Sequence, residues 1–167
     1  MPMLWAANIM SYTIIRDLYG EQRWPQLANL MCCYSLLLTV IYLGIPSLYG
    51  IFLGSYAVGV GTMVILSVYR IQREYMPEVG LLLFKLAGVS YFSGFALWIL
   101  ENLFCMSLPT WWKLHSVWHL TAGFGTYCWL QFAIVLHAHR LKRKCWLEYA
   151  YYFPYVEVED HDFGLFM

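Results

Sequence analysis

A chain of 167 residues is long enough for one domain, yet 61% of its residues are hydrophobic and only 12% are charged. Soluble domains run at about 45–50% apolar and about 25% charged, so this is the composition of a membrane protein. Ten Lys and Arg balance ten Asp and Glu; no net charge draws the chain to nucleic acid, and only the placing of the charges is informative.

In chain order, the opening MPMLWAANIMSYTII has 15 residues before Arg16, short of the ~20 that cross a hydrocarbon core as helix. It lacks the basic n-region and small-residue cleavage site of a signal peptide, and reads as a helix whose beginning is missing or abbreviated. Four uncharged apolar runs follow, at 26–44, 48–69, 81–100 (broken only by Lys85) and 114–136, each near the ~20 residues of a full span. The expected fold is all-α: a polytopic transmembrane helical bundle of about five helices, with residues 1–144 as a single membrane domain and 145–167 as a tail. Pro25 and Pro46 lie near the ends of the second segment, where a lost backbone donor matters least. Glycines 54, 59, 61, 123 and 125 suggest close helix contacts. The five cysteines, 32, 33, 105, 128 and 145, form no C-x-x-C pair, and an odd number cannot all be bridged within the chain.

If the segments alternate, Arg16, Arg23, Arg70, Arg73, Arg140, Lys142, Arg143 and Lys144 share one side and Lys113 alone marks the other. The positive-inside rule makes the eight-residue side cytoplasmic, so the C-terminus is expected in the cytoplasm and the 101–113 loop in a lumen or outside the cell. Lys85 then lies about a turn inside the cytoplasmic face, where its stem follows lipid and its ammonium reaches headgroups. Trp111, Trp112 and Trp118 suit an interfacial belt at the other face.

KLHSVWHL, residues 113–120, places His115 and His119 four apart. On a helix, i and i+4 share a face with Cβ atoms about 5–6 Å apart, so two neutral imidazoles can converge on one cation. The same spacing also suits two histidines hydrogen-bonded beside the tryptophans, and spacing alone leaves both readings open. A catalytic zinc takes three protein ligands and a water, so a pair is not a site. His137 and His139 lie ~27–36 Å farther along the same helix and suit its C-terminal cap, where cations meet the last carbonyls. His161 is in the tail. A single such box also argues against di-iron membrane oxygenases, which gather several.

Two stretches carry a resemblance: FALWILENLFC at 95–105 and LHSVWHLTAGFGTYCWL at 114–130. They resemble the end of the sixth helix and the seventh helix of the alkaline ceramidases, whose pattern is roughly W-x-x-D-x-x-x-C followed by H-x-x-W-H. The opening PML is similar to the segment after that family's D-E-[LI], and PYVEVED to the ending of some members. The likeness covers nearly the whole chain, matched to the family's third to seventh helices. It implies a zinc-dependent hydrolase that splits the N-acyl amide bond of ceramide into sphingosine and fatty acid, in the endoplasmic reticulum or Golgi. Its substrate would be ceramide or a related sphingolipid, its surroundings membrane lipid, and His115 and His119 would be two zinc ligands.

By the same likeness the third ligand, a histidine in an S-x-x-x-H arrangement, with its serine and an aspartate of the third helix, would precede Met1, leaving the catalytic residues unassigned here. Glu101 stands where the family has Asp, and the family partner of Cys105 would be absent. The expectation is weak zinc binding and no ceramide turnover by residues 1–167 alone. The alternatives are a catalytically silent isoform and a receptor-like, lipid-binding member of the same superfamily.

Overall fold

The computed structural model describes residues 2–20, 23–104 and 114–159. Five helices carry the fold: α1 (Pro2–Tyr19), α2 (Leu27–Gly44), α3 (Tyr49–Arg73), α4 (Glu78–Phe104) and α5 (Leu114–Arg140). Two strands follow, β1 (Cys145–Ala150) and β2 (Phe153–Val158). The all-α membrane architecture is as the apolar runs require. α2 matches its run, and the other four helices outlast theirs because the flanking Arg, Glu and His residues are compatible with helix, and cations in a last turn favour the helix dipole. Among the described residues α2, α3 and α4 are long and apolar enough to cross a membrane. The fourth expected span, α5, has the length at 27 residues, but His115, Ser116, His119, Thr121, Thr126 and Gln131 make it more polar than those three.

The chain divides into two compact units, Met1–Tyr75 and Met76–Met167. In the first, α1 is the centre: Leu4, Ala7, Met10 and Ile14 are buried at the i, i+3, i+4 spacing of one face. Polar side chains on that face are hydrogen-bonded, as apolar surroundings demand. Asn8 Nδ2 donates to Ser35 Oγ at 2.7 Å, and Ser35 in turn donates to the carbonyl of Met31. Trp5 Nε1 donates to Thr39 Oγ1 at 3.1 Å. The Ser11 hydroxyl lies 2.8 Å from the Ala7 carbonyl and 2.9 Å from that of Gly59. These contacts run α2 antiparallel and α3 parallel to α1. The C-terminal ends of α1 and α3 therefore meet, and the buried Arg70 pairs there with Asp17 at 3.5 Å and with Glu74. The loop of Arg16 and Arg23 and that of Arg70 and Arg73 thus share one end of this unit, as alternating segments require.

In the second unit α4 and α5 pack antiparallel. A Cβ on Gly125 would come 2.9 Å from Tyr91 and 3.1 Å from the Ala87 carbonyl, and one on Gly80 would meet Met76 and Val135 at 2.9 and 3.2 Å. Of the glycines expected at helix contacts, Gly59 and Gly125 are there, while Gly54, Gly61 and Gly123 meet nothing within 4 Å among the described residues. The sequence marks small residues without saying which face of a helix meets a neighbour. At its C-terminal end α5 closes with a Schellman turn. Lys142 takes a left-handed φ of 57°, its N–H donates to the His139 carbonyl, and the Arg143 N–H donates to Ala138. The backbone itself satisfies these carbonyls, with His137, His139 and Arg140 in the last turn.

The turn sends the chain back along α5, and the first part of the expected tail is an antiparallel hairpin pairing Cys145 with Val158 through Ala150 with Phe153. Its Val156 N–H donates to Gln131 Oε1 at 2.8 Å. Phe153 packs on Phe124 and Tyr127, with centroids 6.3 and 6.0 Å apart.

Candidate metal centre

His115 and His119 stand on the first two turns of α5, both exposed. Their Nε2 atoms are 3.0 Å apart, with the rings nearly perpendicular at 85°. Between neutral imidazoles that distance is a hydrogen bond, one ring donating and the other accepting. It is also within a few tenths of an ångström of the ~3.3 Å separating two nitrogens bound to one tetrahedral zinc at ~2.0–2.1 Å. The pair fits a divalent metal, and the two interpretations of the spacing are alternative protonation patterns of one geometry. Among the described residues no group of three His, Cys, Asp or Glu side chains gathers around it.

Trp118 fixes the two rings. Its indole lies between them in sequence and against both in space, 5.3 Å from His115 and 4.7 Å from His119. Trp118, expected in an interfacial belt from the sequence, turns its ring toward α4. Its ring tilts against Trp98 at 6.1 Å, Trp98 stacks on Phe95 at 5.6 Å, and its buried Nε1 has no hydrogen-bond partner among the described residues. Gly94 makes this possible. A Cβ there would collide with Thr121 Oγ1 and come within 3.1 Å of Trp118 Cδ1 and 3.2 Å of Thr121 Cβ, so only glycine lets the indole lie down on α4. Ser90 Oγ donates to the Thr121 carbonyl at 2.7 Å and ties the crossing one turn away.

The aromatic wall and Gly94 are the parts of the site that spacing arguments passed over. The available signal was a glycine four residues before Trp98 in SGFALW. Glu101, on the last turns of α4, is half-buried. Cys105, Trp111, Trp112, Lys113 and His161 lie outside the described residues. His137 and His139 are at the far end of α5, ~27 Å or more from His119 at 1.5 Å per residue, and do not join the pair.

Comparison with known proteins gives a consistent picture. The family model described as Ceramidase matches residues 1–157, through nearly all of β2. A Dictyostelium discoideum protein named "Putative alkaline ceramidase dcd3A" is 30% identical over 154 residues, which take in 80% of this chain and 53% of the relative. The chain thus spans about half the length of the curated relative it matches. No solved structure matches it.

Proposed function

Because this chain belongs to the ceramidase family, we propose that it is part of a zinc-dependent hydrolase of the ceramide N-acyl amide bond, with His115 and His119 as two of the metal's ligands. The observation that carries the reading is the 3.0 Å approach of the two Nε2 atoms, backed by one indole that restrains both rings. Held zinc supplies a water of lowered pKa and polarises an amide carbonyl. What this chain supplies is binding and orientation. Each imidazole must present a neutral nitrogen lone pair, and Trp118 with Trp98 limits the rotamers either ring can adopt. The Phe95, Trp98 and Trp118 wall gives the site an apolar flank suited to a lipid substrate. By the family likeness a third histidine completes the ligand set, and among the described residues no third His, Cys, Asp or Glu joins the pair. The basic ends of the helices face the cytoplasm and the histidine pair lies near the opposite face of an endomembrane.

Zinc stoichiometry and ceramide hydrolysis, measured together in a full-length context, test this. His115→Ala or His119→Ala should abolish both, while His137→Ala and His139→Ala should leave both intact. Wild-type zinc content in the two variants at 115 and 119 would disprove the ligand assignment. Residues 1–167 alone, purified in detergent, should bind zinc weakly and release no sphingosine. Release abolished by chelation would show that these residues suffice.

A further inference from the structure

We propose that the arginine end of the first unit is a phospholipid-binding rim, in which Arg23 and Arg73, each seated on a tyrosine ring, hold the phosphate of an anionic lipid headgroup. The sequence repeats one spacing at this end: Tyr12 and Arg16, Tyr19 and Arg23, and Tyr69 and Arg73 are each four apart. All three become pairs of ring and cation. The Arg16 guanidinium carbon lies 5.6 Å from the centre of the Tyr12 ring, and that of Arg73 lies 5.3 Å from Tyr69. On α1 and α3 the spacing alone brings them together, because i and i+4 share a helix face. The third pair forms differently. Gly20 ends α1 at a left-handed φ of 83°, and the chain returns so that Arg23 lies 5.6 Å from both Tyr19 and Trp24, whose rings are 5.2 Å apart.

An aromatic ring covers the face of a guanidinium and leaves its in-plane N–H donors open. Carboxylates serve the buried Arg70, which pairs with Asp17 and Glu74. Among the described residues none pairs with Arg23 or Arg73, both of which are exposed. Two planar forks, each with one face fixed and its edge open, fit an anion that presents several oxygens.

The depth of the rim decides which anion that is. α2 and α3 are long and apolar enough to cross a membrane, and both leave their uncharged runs at this end. Arg23 is three residues before the run 26–44, and Arg73 is four residues after the run 48–69, ~6 Å along a helix. The headgroup layer on each side of the hydrocarbon is about 5–7 Å thick, so both guanidinium groups stand at the level of lipid phosphate. Tyr19, Trp24 and Tyr69 are 44%, 47% and 44% exposed, at the boundary where tyrosine and tryptophan are enriched. Cations at this level favour anionic over zwitterionic lipid.

Native mass spectrometry of the whole chain in detergent, titrated with phosphatidylserine, phosphatidylcholine or diacylglycerol of the same acyl chains, tests the rim. Detergent has no sidedness, so the outcome is independent of which face is cytoplasmic and of the metal site. The parent should bind phosphatidylserine most tightly. Arg23→Gln and Arg73→Gln should each weaken that binding about fivefold, the equivalent of ~1 kcal/mol per cation at a membrane surface. Two variants keep the charge: Tyr69→Leu removes the ring and should weaken binding about two- to fivefold, and Arg73→Lys removes the fork and should fall between the parent and Arg73→Gln. Diacylglycerol, which lacks the phosphate, should bind the parent and every variant alike. Unchanged phosphatidylserine affinity in both glutamine variants would overturn the proposal, as would equal affinity of the parent for phosphatidylserine and phosphatidylcholine. Parental affinity in both Tyr69→Leu and Arg73→Lys would also overturn it, because the rim would then act as diffuse charge rather than as seated forks.

Discussion

Gly94→Ala adds a single methyl where α4 and α5 cross, and the structure says what it meets: Thr121 Oγ1 in collision, Trp118 Cδ1 at 3.1 Å and Thr121 Cβ at 3.2 Å. Two terms oppose. Alanine is the better helix former by about 0.8–1.0 kcal/mol, whereas forcing an extra methyl into a filled contact costs about 1–3 kcal/mol. The hydroxyl cannot simply swing aside, because Thr121 Oγ1 is bonded to the carbonyls of Val117 and Trp118, and the Cβ behind it is itself tight. Sterics should win, leaving a net destabilisation of about 1–2 kcal/mol. In a domain of this size that lowers the apparent unfolding midpoint by about 2–8 °C. The strain falls on the turn of α5 that holds Trp118, so zinc binding in the full-length context should weaken with stability.

Thr121→Ala in the Gly94→Ala background removes the colliding oxygen and should recover most of both losses. Thermal unfolding in detergent and zinc content by mass spectrometry read the two effects. A Gly94→Ala protein as stable as the parent, or no recovery on adding Thr121→Ala, would refute the claim that this crossing places the histidine pair.

Two further expectations concern charge and ionisation. Arg70→Leu removes a buried cation that pairs with the mostly buried Asp17 and should destabilise by more than Glu74→Gln, which acts at the exposed end of the same network and should cost less than about 1 kcal/mol; equal losses of unfolding midpoint would contradict this order. Burial raises the pKa of the Cys145 thiol above its ordinary value near 9. Thiolate is therefore scarcer in the folded chain, and alkylation of Cys145 by N-ethylmaleimide at pH 8 should be slower than in the denatured chain and still climbing with pH above 9. Stability contributed by the neutral thiol is intact below the unfolded pKa and declines as pH rises through the folded one. Equal folded and unfolded alkylation rates, read peptide by peptide, would show that the thiol is not shielded.

The sequence by itself determined what depends on neighbours within one helix. Runs free of charge located the five helices to within a few residues at most ends, because an unpaired backbone in lipid has few ways to be satisfied other than helix. The i, i+4 spacing put His115 and His119 on one face, because 3.6 residues make a turn wherever the helix lies. Tertiary structure decided what depends on partners distant in the chain. Gly94 and Gly80 carry crossings while Gly54, Gly61 and Gly123 do not, since a missing Cβ matters only where another backbone or ring arrives. That the Trp118 ring packs across α4 and flanks the histidine pair is not visible in the sequence, since the space above Gly94 exists only once α4 and α5 have packed. Residues 145–158 read as tail because a two-stranded hairpin is marginal alone. It exists here because α5 offers Gln131 to its backbone and Phe124 and Tyr127 to its tip, contacts 25 to 29 residues apart in sequence that no local pattern announces.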